Sequence, residues 1–206
     1  NYMSKPASNL KDKVVNSAVN SLRRNKRIEQ ISFAAIAKEL DTTIDEISSF
    51  YTTTEDIFLE AQKKDWESLH RYWDKRIKKA STPGDFKNAF EIFFERFVET
   101  LSNDADLRLE LSCYLPKCVK YGESNRKRVK RKFHRLIKRG WPGKDEKVLE
   151  RQTELVTVLF YGFFDHIVHI PKIERTKILR DFRNMLNLHL HCLLYTSDAA
   201  DDSLGV

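Results

Sequence analysis

The chain has 206 residues, 41 % of them hydrophobic, and carries 37 Lys and Arg against 30 Asp and Glu for a formal charge of +7. That apolar share excludes an unfolded polar chain, and the length suits one large core or two small ones. No apolar run nears the roughly 18 residues of a membrane span, no signal peptide is visible, and no alternating strand pattern stands between turn residues, so the expected class is all-α.

Residues 1–9 read as a loose arm, with Met3 as the start and two foreign residues ahead of it. Leu10, Val14, Val15, Ala18, Val19 and Leu22 recur at helical spacing. The cations Arg23, Arg24, Lys26 and Arg27 suit the negative end of that first helix. Ala34, Ile36, Ala37 and Leu40 mark a helix of about two turns, which Asp41-Thr42 interrupts. Thr43 stands three residues before Glu46, the spacing of a capping box. Ile44, Ile47 and Tyr51 return to helical spacing and are expected to pack this helix on the previous one. Thr52-Thr53-Thr54 breaks the run, with Thr53 as an N-cap and Glu55 and Asp56 at the positive end of the next helix. Ile57, Phe58, Ala61, Trp66, Leu69, Trp73 and Ile77 then predict a long amphipathic helix to about residue 80. Two short helices, a tight turn and a third helix make a helix-turn-helix, a unit that presents one helix to the DNA major groove.

Ser81-Thr82-Pro83-Gly84-Asp85 is the clearest break. Phe86, Ala89, Phe90, Phe93, Phe94, Phe97 and Leu101 predict an aromatic helix. Residues 104–115 predict another, ended by Pro116. A strongly basic helix covers 123–139 and stops at Gly140-Trp141-Pro142-Gly143. Helices over 145–169 and 174–194 complete about nine, with no internal repeat. The segment 195–206 turns abruptly small and acidic; it reads as translated adapter sequence and is expected to be a non-native tail outside the fold.

Charge is unevenly placed. Residues 1–65 hold seven Lys and three Arg against ten acids, whereas residues 117–144 hold twelve cations and one acid, Glu123. A basic chain favours polyanionic partners, yet here the excess lies outside the helix-turn-helix. For Arg126–Lys132 three readings stand open: a solvated face, a site for an anionic ligand such as an acyl-CoA phosphate, or a second DNA- or membrane-surface contact. Cys113, Cys118 and Cys192 lack metal-ligand spacing and read as reduced thiols. Asp165, His166 and His169 form no convincing metal set. No phosphate loop, nucleophile elbow or HExxH motif is present, so no catalytic residue, metal or cofactor is expected and the chain is not read as an enzyme.

This layout resembles the TetR (tetracycline-repressor-like) family of transcriptional regulators. Ser32, Ile36-Ala37, Thr43, Ile47, Tyr51, Thr53, Glu55 and Ile57 sit where the family pattern wants Thr, Ile-Ala, Ser, Leu, Phe, Ser, Glu and Leu. The resemblance implies a helix-turn-helix DNA-binding domain over 9–56 and a helical ligand-binding and dimerisation domain over 57–194. It implies a ligand-responsive repressor, homodimeric, acting on a palindromic operator in the bacterial cytoplasm with no membrane partner. Candidate DNA contacts are Ser32, Thr42, Thr43, Ile44, Asp45, Ser48, Ser49, Tyr51 and Thr54. Phe90, Phe93, Phe94, Phe97, Leu111, Tyr114, Trp141 and Tyr161 either line a pocket for an apolar or amphipathic inducer or form plain core. Phe160, Phe164, Ile167, Phe182 and Met185 are the expected dimer contacts, on the last two helices.

The departures bear on function. Asp41 replaces the turn glycine, which Asp tolerates because it can take a left-handed conformation. Ser48 and Thr54 replace a Tyr and a Lys that touch phosphates in the family, and each lost cation lowers affinity and salt dependence. Asp45 and Glu46 sit on or near the reading helix. They either cap it, or supply a carboxylate to a cytosine amino group, or mark a domain that no longer binds DNA well. The alternative to a regulator is therefore a helical ligand-binding or protein-interaction module.

Overall fold

The computed structural model describes residues 5–25, 27–93, 96, 115–167 and 169–200, and regular structure among them is wholly helical. In chain order these are α1 (Lys5–Asn25), a 3₁₀ turn (Ile28–Gln30), α2 (Phe33–Leu40), α3 (Ile44–Ser48), α4 (Thr54–Lys79), α5 (83–93), α6 (Pro116–Gly140), α7 (Glu146–Ile167) and α8 (Lys172–Ala200). The chain divides into two compact units, one of residues 1–70 and 106–125, the other of 71–105 and 126–206.

The first unit is built on one apolar cluster. Val14, Val15, Ala18 and Leu22 of α1 meet Ile36 and Ala37 of α2, Ile47 of α3, Ile57, Phe58 and Ala61 of α4, and Cys118 of α6. Phe33 and Leu40 pack against this cluster, while Ala34, expected on the inner face, is exposed. The period therefore starts one residue earlier, with Phe33, Ile36, Ala37 and Leu40 on one stripe. Glu39 ties α2 to α1, accepting from the Ser17 hydroxyl at 3.0 Å and from Arg24 at 3.2 Å. The Ser17 hydrogen bond leads the causes that hold the Glu39 carboxyl below its ordinary range. Burial pushes the Cys118 thiol up to about 12, so this cysteine behaves as a small apolar side chain.

The second unit centres on stacked aromatic rings. Trp73 of α4 lies on Phe93 of α5 with ring centroids 3.6 Å apart. Phe133 of α6 stands edge-on to Trp73 and to Phe160 of α7, with centroids 5.6 and 5.2 Å away. Tilted and edge-on arrangements bring the positive ring edge onto a negative ring face, which adds to the burial.

Several boundaries differ from the sequence reading. The first helix begins at Lys5, so the arm is shorter than nine residues. Pro116 starts a helix instead of ending one. Proline suits the first helical position, where its missing N–H costs nothing. The next N–H, that of Lys117, is given to the Glu55 carboxylate at 2.5 Å, an end-cap supplied from α4. The predicted helix over 104–115 lies outside the described residues. The last helix continues to Ala200, through residues expected to lie outside the fold. Nothing between Lys172 and Ala200 is Gly or Pro, and Ala199-Ala200 has high helix propensity.

Candidate nucleic-acid interface

Each joint of the helix-turn-helix is fixed by a short-range bond. The Ser32 hydroxyl oxygen accepts the Ala35 N–H at 3.2 Å and opens α2. Asp41 closes α2 at φ 51°, ψ 51°, the left-handed conformation in place of the usual glycine. Thr43 opens α3 with a complete capping box: its hydroxyl oxygen accepts the Glu46 N–H at 3.2 Å, and the Glu46 carboxylate accepts the Thr43 N–H at 3.0 Å. That carboxylate also accepts from the Thr42 and Thr43 hydroxyls. These bonds, Thr42's first, hold the Glu46 carboxyl below its ordinary range. Ile47, fully buried, anchors α3 to the core beneath it.

The outer face of α3 is what this anchoring leaves over. Ile44, Asp45, Ser48 and Ser49 are exposed, Ile44 at 48 %. The Ser49 hydroxyl donates to the Glu46 carbonyl at 2.6 Å. Among the described residues the Asp45 carboxylate makes no hydrogen bond or ion pair. The two neighbouring acids thus differ in kind: Glu46 is consumed by the cap, and Asp45 points a carboxylate at solvent. Ile44 departs from the expected inward packing: it is 48 % exposed, whereas Ile47 is fully buried.

Tyr51 needs correction. It is 4 % exposed, with Lys11 over its ring at 5.4 Å. Burial pushes its hydroxyl well above the ordinary phenol range, with Glu60 and Asp12 adding to the effect. Tyr51 is a core residue of the first unit, and its hydroxyl is not offered to a phosphate. Thr54 is half-buried at the start of α4. Lys38 on α2, which the sequence reading did not single out, is exposed.

The start of α4 carries a second reciprocal pair. The Asp56 carboxylate accepts the Thr53 N–H at 2.9 Å, while the Thr53 hydroxyl oxygen accepts the Asp56 N–H at 3.3 Å. The other Asp56 oxygen accepts from Lys117 Nζ at 2.6 Å. Lys117 is the leading cause that lowers the Asp56 pKa. A carboxylate lowered in the folded state contributes stability above its unfolded pKa, and that contribution fades as pH falls through the folded value. Asp56→Asn is accordingly expected to cost about 1–2 kcal/mol at pH 7 and much less at pH 3. Urea unfolding at the two pH values checks this, and an equal cost at both would contradict it.

In the second unit, the described members of the expected pocket are all buried: Phe90, Phe93, Trp141 and Tyr161. Phe94, Phe97, Leu111 and Tyr114 lie outside the described residues. Phe90 and Phe93 pack ring to ring with Phe133, at 5.1 and 5.8 Å. Within this apolar region the Trp73 and Trp141 indole nitrogens and the Tyr161 hydroxyl are buried with no hydrogen-bond partner among the described residues. Arg126 lies over the Tyr161 ring at 4.3 Å.

The expected dimer residues separate into two groups. Phe160, Ile167 and Phe182 are buried inside their own unit, Phe182 stacking on Phe163 at 3.9 Å. They cannot be the outer contacts. Met185 is exposed, and with it Leu155 and Val158 on α7 and Leu188 on α8. The side chain of Phe164 is outside the described set. Pairs at i, i+3 on each helix lie on a common face, and the signal for 155/158 and 185/188 was present in the sequence. It was masked by the larger phenylalanines, which the aromatic core claims. Gln152 and His189 join α7 to α8 at 3.0 Å.

The basic helix is partly neutralised by its own unit. Lys130 pairs with Glu154, Lys132 with Asp74 and Lys138 with Glu146, whereas Lys127, Arg131 and Arg135 are exposed. Lys132 is buried, and desolvation leads in lowering its pKa. Among the described residues no group of three His, Cys, Asp or Glu is placed to hold a metal, and no helix is long and apolar enough to cross a membrane.

No protein-family model matches the sequence, and no curated protein is similar to it. Solved structures share its fold. A transcriptional regulator of the TetR/AcrR family from Thermobifida fusca superposes with a TM-score of 0.69 over 86 % of this chain and 96 % of its own, at 10 % identity. The fatty acid degradation regulator FadR from Bacillus halodurans gives 0.62 over 94 % and 97 %, at 16 % identity. FadR from Bacillus subtilis, solved with stearoyl-CoA, gives 0.60 over 89 % and 97 %, at 17 % identity. The chain therefore has the all-α fold of TetR-like transcriptional regulators.

Proposed function

We propose that the chain is a one-component, TetR-like transcriptional regulator: residues 9–56 read double-stranded DNA, and residues 57–194 bind a small ligand and form a homodimer. One observation carries the reading. Helix α3 is fastened from below by buried Ile47 and from its start by the Thr43–Glu46 box, and its remaining face is exposed and occupied by Ile44, Asp45, Ser48 and Ser49. A rigid helix with an unused outer face at the second position of a helix-turn-helix is what the major groove accepts. The contacts proposed there are Ser32, Thr42, Thr43, Ile44, Asp45, Ser48, Ser49 and Thr54, with Lys38 added and Tyr51 removed.

The ligand half rests on a separate observation. Three buried donors without partners among the described residues, on Trp73, Trp141 and Tyr161, each cost about 1–3 kcal/mol of desolvation. A ligand that accepts from them recovers part of that cost. An amphipathic molecule with an apolar chain and an anionic head suits rings on the inside and exposed Lys127, Arg131 and Arg135 on α6. Acyl-CoA, present in the stearoyl-CoA complex of the Bacillus subtilis neighbour, is the class to try first. Ligand binding that favours one arrangement of the two heads over another shifts the population able to hold an operator. The proposed activity is regulatory and non-enzymatic, in the bacterial cytoplasm, with no membrane partner.

Binding to random duplex DNA across a salt series tests the reading. A regulator shows affinity that falls steeply and log-linearly with salt. A helical module that has lost DNA binding shows weak affinity, nearly flat with salt. Thr54→Lys adds a cation at the start of α4, where the related pattern has one. It is expected to strengthen binding several-fold at low salt and to steepen the slope by about 0.9, one phosphate's worth. An unchanged slope would show that α4 does not approach the backbone.

A further inference from the structure

The make-up of the exposed face on α3 limits which base pairs it can read. On the DNA-binding reading above, we infer that each half-site presents a cytosine and a thymine on adjacent base pairs, the cytosine amino group to Asp45 and the thymine methyl to Ile44.

Four observations lead there. Helix α3 is Ile44-Asp45-Glu46-Ile47-Ser48 and contains no Lys or Arg, so it lacks the side chains that grip guanine through O6 and N7. Glu46 is spent on Thr42 and Thr43 and cannot turn outward without opening the cap. Asp45 is exposed and its carboxylate has no partner among the described residues. Ile44 is a large aliphatic side chain, 48 % exposed, beside it.

The chemistry of the groove does the selecting. An ionised carboxylate only accepts. Guanine O6 and N7 and thymine O4 are acceptors too, so they repel it. Adenine offers an amino group, but its N7 acceptor lies next to that donor. Cytosine alone presents a donor with no acceptor beside it on the same base. Asp45 also carries a full negative charge into a groove walled by phosphates, so a mismatch leaves it both unpaired and repelled. That makes Asp45 a device against wrong sequences more than a source of affinity. Ile44 has no polar atom to offer, and the one apolar group in the major groove is the thymine C5-methyl.

The two side chains are close enough to act together. At about 100° per residue, Ser48 falls between Ile44 and Asp45 around the helix axis. Successive residues rise about 1.5 Å along that axis, against about 3.4 Å between nucleotides on a strand. The two tips therefore reach neighbouring base pairs.

The test starts from a pool of random-sequence duplex DNA from which the full chain selects its own sites. The inference expects each arm of the selected site to hold adjoining C·G and T·A pairs. Replacing that thymine by deoxyuridine, which removes only the methyl, should weaken the wild-type chain several-fold and leave Ile44→Ala indifferent. Asp45→Asn should move the preference at the cytosine to adenine, which an amide grips through N6 and N7. Changing that cytosine to adenine should cost the wild type roughly ten-fold and favour the variant. The deoxyuridine arm alters only the DNA, so protein folding does not enter it. Selected sites with no C or T preference at these positions, or variants that keep the wild-type preference, overturn this inference and leave the regulator reading standing. Failure of the wild-type chain to retain any duplex overturns both.

Discussion

Replacing Phe133 with alanine is expected to remove about 3–5 kcal/mol of stability from the second unit, which is a large share of the margin of any domain. Phe133 is fully buried and touches four rings: Trp73, Phe90, Phe93 and Phe160. Truncation leaves a cavity lined by rigid aromatic rings, which collapse into a void poorly. Each of those neighbours also loses an edge-on or tilted partner, worth about 0.5–1.5 kcal/mol beyond the area buried. Phe133→Leu keeps most of the volume and should cost far less. Urea unfolding, followed by near-ultraviolet circular dichroism of the ring cluster, measures both. A cost below about 1 kcal/mol for the alanine variant would mean that these rings do not form the core.

The second large effect concerns assembly. Val158→Glu is expected to leave the folded protomer intact and to break the proposed homodimer. Val158 is 59 % exposed in the single chain, so a polar replacement there changes protomer stability by no more than about 0.5 kcal/mol. In a dimer that buries Leu155, Val158, Met185 and Leu188 against their copies, the same replacement sets an unpaired carboxylate on each side of an apolar contact. Sedimentation velocity should show a dimer for the wild type and a monomer for Val158→Glu. Operator affinity should fall by about 10²–10⁴, the gain that two linked heads give over one. A variant that still sediments as a dimer would place the interface elsewhere. Phe182→Glu would not serve, because Phe182 stacks on Phe163 within its own protomer.

Local rules in the sequence carried the helix-turn-helix a long way. The box at Thr43–Glu46, the cap at Thr53 and the left-handed turn at Asp41 each depend on residues no more than a few positions apart, and all three are in the structure. Where the reading erred, the deciding partner was distant. Tyr51, by spacing an inward residue, is also read as a phosphate contact through its hydroxyl, and the core it fills is completed from other helices of its unit. Pro116 reads locally as a stop, yet Glu55 of α4 takes up the Lys117 N–H and makes it a start. Phe160, Ile167 and Phe182 have the bulk expected of an interface, but all three are buried within their own unit. Smaller Val158 and Leu188 are left outside. Charge misled in the same way: the cations of 126–132 stand out in the sequence, while Glu154 and Asp74 supply the counter-charge for Lys130 and Lys132.

Amide hydrogen exchange of the whole chain, with and without duplex DNA at low salt, puts the account most directly at risk. It predicts that duplex slows exchange over residues 42–50 and at the starts of α2 and α4, and leaves the ring cluster around Phe133 unchanged. Slowed exchange confined to the basic helix α6, with residues 42–50 exchanging as in the DNA-free chain, would contradict it.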